Sequence, residues 1–568
     1  MSAALLMKFI TVLAAASLLV ASIDAKTWLL PIPQSLKWTG SEIPLDENFD
    51  IHAPDNAQAQ EAANRYKKLI LKEKWVPYQK NVTEITPLKK GGVLKSLQIG
   101  IKDLNVTLDF GVDESYNLTI PETGGDATLD ANTWIGALRG LETFSQLFVK
   151  TDGQLVAHSS VIQDWPTYPH RGIMLDTARN FYEVESILRT IDALAYNKMN
   201  VLHWHLTDSQ SWPLGLNKHP ELAEKGAYSA EQIYSVKDLK KVVSYGQSRG
   251  VRVIPEIDMP AHTASIAKSH SDLVTCTDTN WLTNAAEPAP GALDPTNNHT
   301  YSLIEDIVEE LSEIFPDSFY HAGGDEVSSH CWKQDKKISK YLKKHNMTTN
   351  ELWSQFEDKV GTIVNNNKKR IMIWEDAIVK AKADLSKDVA VQIWTTIPEK
   401  IIRRGHDIIH SSSDYFYLDC GGGGWVQNDT SYVTSNQSAT AGVSQNYGGA
   451  GGSWCAPYKT WQRIYSFDMT YNITSNPGDG QVLGGEAALW SEQTDDTDLD
   501  AKLWPRGSAA AEIFWSGSYD KEGNRRSLDD MWPRINDWRY RLVRRGIAAI
   551  ALVPQWCLSA GTGCLITQ

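Results

Sequence analysis

Asp325 and Glu326 are adjacent carboxylic acids preceded by two glycines, Gly323 and Gly324, and by His321-Ala322. Paired glycines let a backbone bend sharply and come close to a ligand. Two carboxylates held in one small buried volume repel each other when both are ionised. One of them is then pushed toward its protonated form, and such a carboxyl donates a proton near neutral pH. That is the equipment for protonating a glycosidic oxygen. The plain alternative is a glycine turn bearing two surface acids, so the weight of the reading falls on what surrounds the pair.

What surrounds it is an alternation of apolar, β-branched segments with amphipathic ones. Eight segments read as strands: Gly172–Asp176, Asn200–Leu206, Arg252–Asp258, Ser318–Ala322, Arg370–Asp376, Val389–Trp394, Asp407–Ser411 and Glu486–Trp490. Helical spacing intervenes, as in Val184–Met199 and Leu303–Ile314. Eight strand–helix units imply an α/β fold, a (β/α)8 TIM barrel, whose active site forms at the C-terminal ends of its strands. Chemically useful side chains fall at those ends: His203, His205 and Asp208, then Glu256, Asp258 and His262, then Asp325 and Glu326, then Trp374, Glu375 and Asp376. Trp394, Trp490 and Glu492 end two later strands. Glycine-rich stretches 421–424 and 448–452 lie in a long insertion before the eighth strand, a length that is usually functional or disordered.

In front of the barrel an α+β domain is expected. Ser96–Ile101, Val106–Phe110 and Tyr116–Ile120 read as strands, and Asn56–Lys72 and Asn132–Val149 as helices. The small residues around Gly136 and Gly140 suit close packing on a neighbour. Asp164-Trp165-Pro166 marks the boundary, giving domains 26–165 and 166–568. Residues 1–25 read as a secretory signal: Lys8, a short apolar run from Phe9 to Ala21, then small residues. Secretion to the extracellular or wall space is therefore expected, without a membrane anchor once the signal is removed.

Composition fits that route. The 568 residues carry 21 Trp and 21 Tyr, rigid surfaces that stack on sugars and also fill large cores. A net charge of −14 argues against a nucleic-acid partner. Six cysteines in a secreted chain suggest three disulfides, for which fifteen pairings exist. Sequential pairing, Cys276 with Cys331, Cys420 with Cys455 and Cys557 with Cys564, closes the shortest loops and is the expectation. Asn81, Asn105, Asn117, Asn298, Asn346, Asn428, Asn436 and Asn472 head glycosylation sequons. No cysteine or histidine spacing suits zinc, so neither a metal nor a cofactor is expected.

Five motifs carry a resemblance. They are His170–Arg179 (HRGIMLDTAR), His203–Gln210 (HWHLTDSQ), Pro255–His262 (PEIDMPAH), His321–Glu326 (HAGGDE) and Gly484–Glu492 (GGEAALWSE). In this order they resemble the family 20 glycoside hydrolases, the β-N-acetylhexosaminidases, most closely the secreted fungal type. The resemblance implies an exo-acting, retaining enzyme in which the substrate's own 2-acetamido oxygen attacks the anomeric carbon. It implies Glu326 as general acid and base, Asp325 as the carboxylate that stabilises the acetamido group, and Tyr417 as the hydroxyl that orients it. It further implies Trp374, Trp394 and Trp490 as pocket walls and Arg171, Asp419 and Glu492 as holders of sugar hydroxyls. His262 and Asp208 are implied as supports for the acid. Cys420 stands where some relatives carry an arginine suited to sulfated sugars, so neutral substrates are expected: chitobiose, chitooligosaccharides and glycan-terminal GlcNAc or GalNAc. By analogy the glycine-rich insertion caps a neighbouring site in a homodimer. The rival reading is an inactive chitooligosaccharide- or glycan-binding protein on the same fold, which would lack one of the carboxylates.

Overall fold

The computed structural model describes residues 28–74, 89–151, 153–426, 455–559 (apart from 456, 472, 474, 475 and 477) and Cys564. The expected signal, the sequons Asn81, Asn428, Asn436 and Asn472, and the second glycine-rich stretch lie outside these residues.

The N-terminal part contains β1 (Ser35–His52), α1 (Ala57–Leu71), β2 (Lys89–Lys90), β3 (Leu94–Asp103), β4 (Tyr116–Ile120), β5 (Gly125–Thr133), α2 (Trp134–Gln146), β6 (Phe148–Thr151) and β7 (Gln154–Asp164). The strands form one mixed sheet in the order β2-β1-β3-β5-β4-β7-β6. α1 is capped by Asn56, whose side chain accepts from the Ala59 N–H, and α2 by Thr133. Every residue of α2 is buried. Its glycines explain how it gets so close: a Cβ on Gly136 would sit 2.4 Å from the Ser115 carbonyl oxygen, and one on Gly140 2.2 Å from a Leu129 methyl.

The expected strand at Val106–Phe110 does not form. This stretch is irregular because its groups are used sideways: the Val106 carbonyl accepts from the Trp134 indole, and the Asp109 carboxylate accepts from the Ser318 N–H. Phe110 meets Phe319 edge-on, with ring centroids 5.1 Å apart, at the base of the barrel.

The barrel is closed and parallel. β8 (His170–Asp176), β9 (Val201–Thr207), β10 (Arg252–Ile257), β13 (Phe319–His321), β14 (Arg370–Trp374), β15 (Ala390–Ile393), β16 (Ile408–His410) and β17 (Val482–Leu489) follow one another around the ring, and β17 closes on β8. The two-stranded β11 (Val274–Thr275) and β12 (Ala292–Leu293) stand apart. All eight strand segments read from the sequence are present.

Period-two alternation along these strands stacks the barrel interior in layers. At the base lies an apolar layer of Val201, Ile254, Phe319, Met372, Ala390, Ile409 and Leu483. Two residues onward, or three on β17 where the register shifts, the layer is polar: His203, Glu256, His321, Gln392 and Glu486, with Trp374. Two residues further are His205, Asp258, Gly323, Trp394 and Ala488, at the level of the catalytic face.

The three disulfides are Cys276–Cys331, Cys420–Cys455 and Cys557–Cys564. Asn105, Asn117, Asn298 and Asn346 are exposed. Among the described residues, no helix is long and apolar enough to cross a membrane.

Candidate active site

A cavity of about 330 Å³ opens at the C-terminal ends of the strands, lined among others by Asp325, Glu326, Tyr417, Trp394, Trp490 and Arg179. Asp419, Glu492 and His262, also expected from the sequence, line it too, and Glu287 and Trp281 join it from the loop between β11 and β12. Trp425 and Val426 form part of the wall.

The Gly323-Gly324 bend places the acid pair. Both glycines have positive φ, 66° and 100°, and Glu326 follows at 53°. A Cβ on Gly323 would lie 1.8 Å from Asp258 Oδ1, so only glycine lets β13 turn against that carboxylate. The Gly324 N–H donates to the same oxygen at 3.0 Å.

Asp325 and Glu326 then face different surroundings. Asp325 is buried; desolvation, followed by the nearby Asp258 carboxylate, holds its carboxyl well above the ordinary range. Desolvation also pushes Asp258 up, to about 6, against the pull of His262. Glu326 is desolvated too, but His262 Nε2 stands 3.3 Å from its Oε2, and the imidazole holds it below the ordinary value. Burial disfavours charge on His262, yet Asp208 (3.1 Å from Nδ1) and Asp258 raise the ring well above its usual value. The groups with raised proton affinity are thus His262 and the Asp258–Asp325 carboxyls. The two carboxyls are pushed in opposite directions, Glu326 down beside His262 and Asp325 up by burial and the neighbouring Asp258.

Aromatic rings build the walls. Trp394 and Tyr417 lie parallel within 10°, centroids 6.4 Å apart, and Trp490 stands 6.2 Å from Tyr417 at 59°. The Trp394 indole N–H donates to Asp376 at 2.7 Å, and Glu375 accepts from the backbone N–H groups of Trp394, Thr395 and Thr396. Burial raises the Tyr417 phenol well above its usual value, so it remains a hydroxyl. Trp374 is not among the lining residues. It lies beneath Trp490 at 5.8 Å and donates to Glu256 at 2.8 Å. Asp208 is likewise behind the wall, bonded to His262 and, at 2.7 Å, to Arg179. Desolvation raises Asp419 to about 7 and holds Glu492 well above its ordinary range despite Arg179.

One expected site residue is elsewhere. Arg171 is the second residue of β8, at the base of the barrel rather than its catalytic face. Its guanidinium bonds Glu114 of the N-terminal part at 2.6 Å and the carbonyls of Lys198 and Tyr168, and it stacks 4.9 Å from Trp515. It ties the two parts together. The arginine in the cavity is Arg179, three residues past the end of β8. Arg179 bonds Glu287 through Nε and Nη2, at 2.9 and 2.6 Å, and lies over Trp490 at 5.0 Å. The signal was available, since Arg179 ends the same motif and follows its strand, where barrel chemistry is found.

Known proteins fit this arrangement. The family described as glycosyl hydrolase family 20, catalytic domain, matches residues 168–518, and the one described as beta-acetyl hexosaminidase like matches residues 29–147. The chain belongs to glycosyl hydrolase family 20. A beta-hexosaminidase of Emericella nidulans is 40% identical over 550 residues, covering 93% of this chain and 87% of the relative. Beta-hexosaminidase 1 of Coccidioides posadasii is 38% identical over 564 residues, 94% of each chain. Among solved structures, a Flavobacterium johnsoniae chitobiase superposes with a TM-score of 0.73 at 26% identity, over 91% of this chain and 73% of that one. The family 20 chain is a glycoside hydrolase, a β-N-acetylhexosaminidase that removes terminal N-acetylhexosamine with the substrate assistance general to the family.

Proposed function

We propose that the chain releases non-reducing terminal GlcNAc and GalNAc from neutral acceptors such as chitobiose, chitooligosaccharides and glycan termini. The observation that carries this is the convergence of Asp325, Glu326 and Tyr417 on one cavity with aromatic walls. In the reaction the acetamido oxygen attacks the anomeric carbon while the bond to the leaving oxygen breaks. Glu326 supplies the proton to that oxygen, drawing it from the His262 pair as the incoming sugar desolvates the carboxylate. Asp325, with the shared proton resting on Asp258, accepts the acetamido N–H and balances the positive charge of the oxazolinium. Tyr417 donates to the acetamido oxygen and aims it. Water then attacks the same carbon, Glu326 takes its proton, and configuration is retained.

Trp394 and Trp490 enclose the acetyl methyl, which favours the acetylated sugar by roughly 1–3 kcal/mol. Arg179, Asp419 and Glu492 hold the ring hydroxyls. Cys420 is tied to Cys455, so no cation stands next to Asp419 in that position to pair with a sulfate. Secretion and a homodimer complete the proposal.

The test is hydrolysis of an aryl N-acetyl-β-glucosaminide by wild type, Asp325→Asn and Tyr417→Phe, with an oxazoline mimic as inhibitor. Activity in wild type, steep losses in both variants and tight inhibition are expected. An inert wild type that binds chitooligosaccharide would establish the binding-protein reading instead. Turnover of 6-sulfated aryl glycosides equal to that of neutral ones would overturn the substrate range.

A further inference from the structure

Behind the acid pair runs a buried array of alternating carboxylates and imidazoles. Glu486 Oε2 is 2.9 Å from His203 Nδ1. His203 Nε2 makes a 2.9 Å ion-pair contact with Glu256 Oε2, off the alignment of a straight hydrogen bond. Glu256 Oε2 is 2.7 Å from His205 Nδ1, and His205 Nε2 is 2.9 Å from Asp208 Oδ2. Asp208 Oδ1 reaches His262 Nδ1 at 3.1 Å, and His262 Nε2 faces Glu326 at 3.3 Å. Glu486, His203, Glu256, His205 and Asp208 are all fully buried, and none of them lines the cavity.

An imidazole between two carboxylates satisfies both only as the imidazolium, because a neutral ring has a single N–H. The array therefore alternates in sign, with three rings between four carboxylates and Arg179 beside Asp208 as a further cation. In so dry a region, each charge is felt by its neighbours far more strongly than in water. Other elements add the remaining partners. His321 on β13 lies 3.1 Å from Glu256 Oε1 and stacks on His203 at 4.5 Å, and the Trp374 indole on β14 donates to the same oxygen. Asp258, the residue after β10, adds a carboxyl that burial pushes up to about 6. At Glu486, His170 and Gln392 occupy the carboxylate at 2.5 and 3.0 Å.

We propose that Glu256 and His203 are positioning residues for the catalytic acid: the array they belong to sets the pH at which the His262–Glu326 pair gives up its proton. The proposal rests on Glu326 being that acid. Taking the negative charge from Glu256 loosens the hold on every proton along the array. Taking the positive ring from His203 tightens it. The two variants thus act in opposite directions on a pair that neither of them touches.

The experiment is the pH profile of kcat/KM on an aryl N-acetyl-β-glucosaminide with a poor leaving group, for wild type, Glu256→Gln, His203→Gln and Glu326→Gln. The folded fraction of each is fixed by thermal melting and by titration with the oxazoline mimic. Glu256→Gln is expected to move the alkaline limb down by about one pH unit, and His203→Gln to move it up by about half a unit. KM should stay within about twofold in both. Limbs that stay in place, or that move in the same direction, overturn the proposal while Glu326→Gln is inactive. A Glu326→Gln enzyme that keeps wild-type activity refutes the assignment of the acid instead. If Glu256→Gln does not fold, the upward shift in His203→Gln decides the matter alone.

Discussion

Replacing Arg179 with lysine keeps the charge and removes the planar fork. A guanidinium has five N–H donors. Two of those on Arg179 go to Glu287 at 2.9 and 2.6 Å, and Nη1 makes a 2.7 Å ion-pair contact with Asp208. Nη1 also lies 3.4 Å from Asp176 Oδ2 and His205 Nε2, and the second Nη2 hydrogen has its nearest protein neighbour, His262 Nδ1, at 3.4 Å. Nη1 is thus turned to the buried Asp208, Asp176 and His205, and we propose that the remaining Nη2 donor takes a sugar hydroxyl. Charge-assisted hydrogen bonds contribute about 1.5–3 kcal/mol each, and one ammonium can serve only part of this set, so Arg179→Lys should cost about 2–4 kcal/mol of transition-state stabilisation. That is roughly a 30- to 1000-fold loss in kcat/KM. The control is Arg171→Lys, which breaks up the buried bonds to Glu114, Lys198 and Tyr168. It should lower unfolding stability by about 2–4 kcal/mol yet leave kcat/KM per active molecule within about twofold. The assay is aryl glycoside hydrolysis normalised by inhibitor titration, beside a thermal melt. Catalytic loss in Arg171→Lys with none in Arg179→Lys would refute the geometric assignment and restore the reading by motif.

Three further outcomes follow from the packing. Gly323→Ala would drive a methyl into Asp258 at a backbone φ of 66°; kcat should fall on the order of 100-fold, and a variant of unchanged kcat would remove the steric argument. His203 is held up to about 9 because Glu486 and Glu256 outweigh the cost of its burial. A histidine raised from its usual 6.5 contributes stability that is complete below that pH and is lost as pH rises through 9. Denaturant unfolding should therefore show a decline of about 3 kcal/mol across this window, absent in His203→Gln; a flat profile in wild type counts against the paired imidazolium. Removing the Cys276–Cys331 bond, which spans 55 residues, should cost about 4 kcal/mol of stability while kcat stays near wild type; a melt that does not move would show that the loop is held by packing alone.

The fold was legible because the barrel writes itself into the chain. Buried parallel strands are short β-branched runs, several of them followed by an amphipathic helix, and all eight could be found by that pattern. The acid pair was legible for a local reason: Gly-Gly before Asp-Glu is a bend that brings two carboxylates together within six residues. Less local features were lost. The 18-residue β1 was not foreseen, since much of it is half-exposed and its pairing with β7 spans more than a hundred residues of sequence. Val106–Phe110 has strand composition, but contacts with distant Trp134, Ser318 and Phe319 claim its groups.

Residue types and spacing alone determined the barrel and the residues at its strand ends, because each depends on neighbours a few positions away, while the class of chemistry came from the resemblance of five motifs to a known family. Only the tertiary structure decided which arginine lines the cavity, since Arg171 and Arg179 share one motif and lie at opposite ends of one strand. Likewise it alone showed that Trp374 and Asp208 stand behind the cavity wall and that burial and neighbouring charges push His262, Asp258 and Asp325 up while Glu326 is held down. Those shifts depend on charges from β9, β10 and β13 meeting in a dry interior, and the distances between them exist only once the barrel has closed.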